Sequence, residues 1–131
     1  SCLPRMTISR HIWHCAANSL WLGEFFHCDW DMFRTAKWHS GIHAVARAVS
    51  GGPVYVSDVA ETLDFHEIKP LLLPGTGQVV PCAGCGVPIG RHVFVDPTVS
   101  RSAWWTANRT AGGWIAVAFG LCDTGGELLH G

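Results

Sequence analysis

Two carboxylates bracket an indole at Asp29-Trp30-Asp31, Met32 and Phe33 follow directly, and a third carboxylate closes the run Ser50-Gly51-Gly52-Pro53-Val54-Tyr55-Val56-Ser57-Asp58. An ionised carboxylate accepts hydrogen bonds from hydroxyls, and an indole presents a flat apolar face, so these residue types suit the holding of a polyhydroxylated ring. Ser57 adds a hydroxyl next to Asp58. The plainer use of Asp31 and Asp58 is to cap the helices that follow them.

For these groups to meet, the segments that carry them must end on one side of the molecule. Each is a short apolar or aromatic run that finishes in a carboxylate, with one amphipathic piece of helical length between them. That is the rhythm of parallel strand, helix, parallel strand, which delivers both C-terminal ends to the face where α/β folds bind ligands. Residues 25–33 are expected as the first strand, apolar enough to be covered on both faces, and residues 53–57 as the second. Between them Ile42, Val45, Ala46 and Val49 recur at helical spacing and predict a helix over 38–49, with His39, His43 and Arg47 on or beside the opposite face. Gly51-Gly52 ends it.

Ahead of this unit, Ile12, Ala16, Ser19, Leu20 and Gly23 predict a helix over 12–24, and Pro4 argues against an earlier start. After it, a weaker helix over 65–73 is interrupted by Pro70, and 74–77 reads as a turn. Strands are then expected over 78–82, 93–95, 103–106 and 114–121. The character of the chain changes near residue 75, with α/β organisation over 1–75 and antiparallel β over 76–131.

The 131 residues suffice for one core but not for a complete eight-stranded α/β barrel, which takes roughly 250. Hydrophobic residues make up 48% and charged residues 15%, against about 25% charged in an average domain, so part of the surface is expected to rest against further chain or a partner subunit. The net charge is −1 and the nine Lys and Arg are scattered, which argues against nucleic acid and anionic membranes as partners. Seven Trp against one Tyr suit the apolar faces of sugar rings, although most Trp side chains in any domain belong to the core. The sequence shows no apolar run of membrane-spanning length and no signal-peptide pattern. Cys2, Cys15, Cys28 and Cys122 stand isolated, so the cysteines read as reduced and the compartment as cytoplasmic.

Cys82-Ala83-Gly84-Cys85 has zinc-knuckle spacing, and His66, His92 or Cys122 are available to complete a site. A structural zinc needs four ligands, and there is no second such pair. His11, His14 and Cys15 also fall at helical spacing. Asn108-Arg109-Thr110 has the form of a glycosylation sequon. No phosphate-binding glycine loop and no nucleophile elbow occurs, and neither a metal nor a cofactor is expected.

A longer set of residues carries a resemblance. His14-Cys15-Ala16-Ala17-Asn18-Ser19-Leu20-Trp21-Leu22-Gly23-Glu24-Phe25, Asp29-Trp30-Asp31-Met32-Phe33, and the run from His43 to Asp58 resemble the raffinose and stachyose synthases and their relatives, the alkaline α-galactosidases or seed-imbibition proteins. Weaker likeness continues through Leu71-Leu72-Leu73-Pro74, Phe94-Val95-Asp96-Pro97, Trp105-Thr106-Ala107-Asn108 and residues 112–119. The chain departs from the usual pattern at Cys28, at Lys37-Trp38 and at Glu61-Thr62-Leu63.

The resemblance implies the last strands and helices of a (β/α)8 TIM-type barrel running into the start of a C-terminal antiparallel β domain. Strand seven would end in 29–33 and strand eight would be 53–57. It also implies retaining transfer of galactose from galactinol or another α-galactoside to sucrose, raffinose or water, which takes two carboxyl groups about 5 Å apart. Both are expected upstream of residue 1, in a Lys-x-Asp and a Ser-Asp-Asp-Phe motif, since Ser1-Cys2-Leu3-Pro4-Arg5 has neither. No catalytic residue is therefore assigned in this chain. Asp31 is expected to hydrogen-bond galactose hydroxyls, Asp29, Trp30 and Met32 to shape the pocket wall, and Ser57 and Asp58 to support it. The alternatives are a non-catalytic carbohydrate-binding or truncated module, and a small zinc domain built on Cys82 and Cys85.

Overall fold

The structure, a computed structural model, describes residues 5–122, with side chains in the first helix from Ile8 onwards. Helix α1 spans Arg5–Leu22 and α2 spans Ser40–Ser50. Short 3-10 turns follow at Ala60–Thr62, Lys69–Leu71 and Gly90–Phe94, and a three-stranded antiparallel sheet is built from β1 (Val87–Pro88), β2 (Trp104–Thr110) and β3 (Gly113–Phe119), in that order. None of the helices among the described residues is long and apolar enough to cross a membrane.

Helix α1 begins seven residues before its expected start at 12. A proline is harmless ahead of or within a first helical turn, where the missing N–H has no intrahelical acceptor, so Pro4 did not postpone the helix. Ile8, Ile12 and Ala16 form its buried stripe. The helix stops where the Gly23 N–H bonds to Ser19 O at 3.0 Å.

Helix α2 matches its expected position but not its expected faces. Ala46 and Val49 pack with Ile8, Ile12, Ala16, Trp30, Trp104, Phe119 and Leu121 in the main core, as the spacing requires. Val45 is nevertheless exposed, while His43 and Arg47 are buried. The helix is covered on two sides, by the sheet and by the loop ahead of it, so polar residues on the second side are enclosed rather than solvated. It ends at Gly51, whose φ of 78° lies in the left-handed region, and a Cβ there would collide with Gly84 O. At Gly52 a Cβ would meet Cys28 O, so two neighbouring segments close directly onto this pair.

The expected strand over 25–33 is reduced to a single parallel contact between Phe33 and Val56. The Ser57 N–H donates to Phe33 O at 2.9 Å and the Phe33 N–H to Tyr55 O at 3.4 Å. Earlier in the segment the Phe25 and Phe26 amides turn back to Leu22 O, so the chain continues the helix end as a turn and these two rings stay exposed. A strand needs ladder partners, and this stretch has them only at its last residue.

Differences after residue 75 have similar causes. Residues 93–95 fall within or beside the 3-10 turn Gly90–Phe94, which presents His92 O to Trp104 Nε1 at 2.9 Å, and no strand forms there. Residues 78–82 make only isolated antiparallel bridges, Val79 to Leu72 and Cys82 to Thr110. Of the residues expected as a helix over 65–73, only Lys69–Leu71 form a helical turn, with Pro70 in it. The two longer strands appear slightly displaced and pair in full from Trp104 with Phe119 to Thr110 with Gly113. Ile115, Val117 and Phe119 face the helices, and Trp114, Ala116 and Ala118 face outward.

Candidate functional site

The loop from Asp29 to Phe33 is fastened from behind by side chains of both helices. Trp30, 1% exposed, donates its indole N–H to Ser19 Oγ at 3.2 Å. Ser19 in turn donates to Cys15 O at 2.8 Å, a bond that ties it to its own helix and aims its oxygen at the indole. Arg47, also 1% exposed, donates through Nε to Asp31 O at 3.0 Å and through Nη2 to Met32 O at 3.4 Å. One guanidinium therefore holds two consecutive peptide carbonyls, a task its fixed fork of donors suits.

Two histidines lie against that guanidinium. Nη1 donates to His43 Nδ1 at 2.7 Å, which leaves the His43 proton on Nε2. Burial, reinforced by the Arg47 charge, pushes the His43 pKa down to about 3, so the ring is neutral across physiological pH. His11 Nε2 lies 3.1 Å from Trp30 O and 3.4 Å from Arg47 Nη2, donating to the carbonyl in one tautomer and accepting from the guanidinium in the other. Phe33 stacks on His43 and places its ring 5.6 Å from Arg47 Cζ. Burial pushes the nearby Cys15 thiol up to about 11, against the opposing pull of Arg47.

The far side of the loop faces solvent. Asp31 has φ of 71°, the left-handed region that costs a non-glycine residue of order 1–3 kcal/mol and persists where its surroundings over-determine it. Here Arg47 grips its carbonyl, while its exposed carboxylate accepts the Met32 N–H at 2.8 Å through Oδ1. Asp29 accepts the Asp31 N–H at 2.7 Å and the Tyr55 hydroxyl at 2.5 Å on its two oxygens. That bond to Asp29, more than burial, raises the Tyr55 pKa above its ordinary value. Met32 lies beside them, 47% exposed.

Across the Phe33 to Val56 contact, Ser57 and Asp58 line a cleft of about 360 Å³ with Arg34, Ala36 and Lys37. Asp58 accepts the Thr35 N–H at 2.8 Å and the Ala36 N–H at 3.3 Å. Burial pulls its pKa up, but these amides and the Thr35 hydroxyl together outweigh burial and hold the carboxyl below the usual range. Its capping role is therefore directed backward, to the turn after Phe33, and not forward to a following helix.

Of the six expected site residues, Asp29, Asp31 and Met32 share one exposed rim, and Ser57 and Asp58 share the adjacent cleft. The Trp30 ring lies in the core and props the rim from behind. Arg47, His43 and Tyr55 complete the arrangement and were not singled out as site residues, and His11, noted only for its spacing with His14 and Cys15, joins them here. Residue type alone gave no signal that Arg47 would be buried, since its partners are backbone carbonyls of a loop distant in sequence. Cys82 and Cys85 diverge, the first donating to Ala48 O at 3.6 Å and the second to Phe26 O at 3.5 Å. Among the described residues no three His, Cys, Asp or Glu side chains come together as a metal would require.

The arrangement can accept hydroxyl hydrogen bonds on a rigidly backed carboxylate. The family model described as raffinose synthase or seed imbibition protein Sip1 matches residues 6–117. The chain is 41% identical over 119 residues to a galactinol–sucrose galactosyltransferase of Oryza sativa subsp. japonica, covering 88% of this chain and 15% of that protein. It is 41% identical over 105 residues to a galactinol–sucrose galactosyltransferase of Pisum sativum, covering 78% of this chain and 13% of that one. It is 36% identical over 105 residues to stachyose synthase of Pisum sativum, covering 78% of this chain and 12% of that enzyme. The chain thus spans about 15% or less of the length of these curated relatives.

Proposed function

Because the chain belongs to the raffinose synthase and seed imbibition protein family, we propose that it is a segment of a galactosyl-transferring enzyme and supplies one wall of its sugar pocket. Asp31 accepts hydrogen bonds from galactose hydroxyls, with Asp29 and Met32 shaping the wall and Ser57 and Asp58 flooring the neighbouring cleft. The observation that carries this reading is the left-handed Asp31, held through its carbonyl by buried Arg47 while its carboxylate faces outward. Strain of that kind, retained at an exposed acidic residue, is characteristic of ligand sites.

In this reading the segment closes a (β/α)8 barrel and runs into a β domain. The parallel contact of Phe33 with Val56, the pairing that neighbouring strands of such a barrel make, supports it. So do the exposed rings of Trp21, Phe25 and Phe26, which further chain would cover. The two carboxyl groups of a retaining mechanism come from elsewhere in the enzyme. Asp29 and Asp58 have both oxygens engaged by this chain's own donors, which suits positioning rather than nucleophilic attack.

The test is Asp31→Asn in the enzyme at its natural length, assayed for transfer from galactinol to sucrose and for cleavage of an aryl α-galactoside. Losing the charge-assisted acceptor bonds is expected to lower turnover at least about tenfold, since each is worth about 1.5–3 kcal/mol. Unchanged kinetics on both substrates would remove Asp31 from the site. The 131-residue chain alone is expected to show no hydrolysis above buffer, and turnover dependent on Asp29 or Asp31 would overturn the division of labour.

A further inference from the structure

Two cysteines far apart in sequence converge where the segment leading into Asp29 meets the turn before β1. The Cys28 N–H donates to Cys85 Sγ at 3.2 Å. Both thiols point at one carbonyl, Phe26 O, from 3.5 Å for Cys85 and 3.9 Å for Cys28. Gly23 leaves room for Cys85, since a Cβ there would stand 3.0 Å from Cys85 Cβ and 3.3 Å from its sulfur. Both side chains are part-exposed, so a small reagent can reach them. Cys82, two residues before Gly84 and the expected mate of Cys85 by spacing, instead turns to Ala48 O.

We infer that Cys28 and Cys85 form a dithiol modification site that low-molecular-weight disulfides such as oxidised glutathione convert to an intrachain disulfide. The Cys28 thiolate attacks one sulfur of the small disulfide, forming a mixed disulfide and expelling one small thiolate, which takes up the proton Cys28 released. The Cys85 thiolate then attacks the Cys28 sulfur and expels the second small thiolate, which takes up the Cys85 proton. Two protein thiols are oxidised and one small disulfide is reduced to two thiols. Burial, the largest influence on Cys85, raises its thiol pKa, so it acts second, with the Cys28 N–H aimed at its sulfur as charge develops. The link spans 57 positions and fastens the residue before Asp29 to the β region, constraining the unfolded chain as well as the loop.

The test treats the protein at its natural length with oxidised glutathione and maps the linked peptides by fragmentation, on wild type, Cys82→Ser and Cys85→Ser. The expected result is a Cys28 to Cys85 link that forms in wild type and Cys82→Ser, is absent in Cys85→Ser, and is reversed by dithiothreitol. Its formation is expected to raise Tm by several degrees. A Cys82 to Cys85 link, a glutathione adduct that never closes, or two thiols that stay reduced would each overturn the proposal.

Discussion

The acidic rim and the C-terminal hairpin are held in shape by different means. From Trp104 to Phe119 every pairing is a backbone ladder, so the hairpin's form is distributed over many equivalent bonds. From Asp29 to Met32 the backbone carbonyls are met by side chains reaching in from α2 and α1, chiefly Arg47 and His11, and Ser19 anchors the Trp30 ring. A ladder tolerates exchange of outward side chains, whereas a loop held by one guanidinium depends on that residue. The contrast suits a division between a scaffold and a candidate site, because the left-handed Asp31 lies in the loop whose carbonyls Arg47 grips.

The largest effect that would break this comparison is expected from Arg47→Met. The replacement keeps the bulk but leaves the Asp31 and Met32 carbonyls without their donor, at about 1–3 kcal/mol for each orphaned acceptor. Denaturant unfolding followed by tryptophan fluorescence should show a loss of about 2–4 kcal/mol. A midpoint unchanged from wild type would mean that the loop holds itself.

Acid sharpens the comparison next. His43 is neutral in the fold because its pKa is pushed down to about 3, whereas its unfolded value is near 6.5. Below 6.5 the unfolded chain therefore binds the extra proton, and stability falls as pH drops toward 3, by up to about 1.4 kcal/mol per pH unit. Above 6.5 this contribution is fully present. His39, lowered chiefly by burial, adds in the same direction, so comparison with His43→Asn isolates the larger share. Asp58, also lowered in the fold, loses its contribution only on descending through its ordinary 3.8 and below, leaving pH 4–6.5 to the histidines. An equal slope in His43→Asn would contradict the buried neutral role.

The smallest effect is expected on the hairpin's outer face. Trp114 is exposed and its ring lies 5.8 Å from Arg109 Cζ, an interaction worth about 0.5–1 kcal/mol at such a site. Trp114→Thr should cost less than about 1 kcal/mol in the same unfolding measurement. A loss matching that of Arg47→Met would erase the distinction between the regions.

Much of this organisation was legible in the residue pattern, and the failures share a cause. Helix α2, its glycine stop and the hairpin strands followed from periodicity and from punctuation by Gly and Pro, which are local signals. Asp29 and Asp31 were legible as a carboxylate pair, and the structure shows both exposed on one rim. Arg47 and His43 were placed outward because periodicity records polarity, not what stands opposite, and here a loop covers the polar side of the helix. Trp30 was read by its face, and only the position of Ser19 shows that its N–H is the working group. Residues 25–33 read as a strand because their composition suits one, although ladder partners decide whether a strand forms.

The central claim is that Arg47 acts through Asp31, and a double-mutant cycle tests it most directly. In the proposed galactosyl-transferring enzyme at its natural length, kcat/KM for transfer from galactinol is measured for Arg47→Met, Asp31→Asn and the double variant at a temperature where all remain folded. If the guanidinium serves to present the Asp31 carboxylate, the double variant should be little worse than the poorer single one, with a coupling of about 1–3 kcal/mol. Losses that add fully would show that the two residues act independently and would contradict the account.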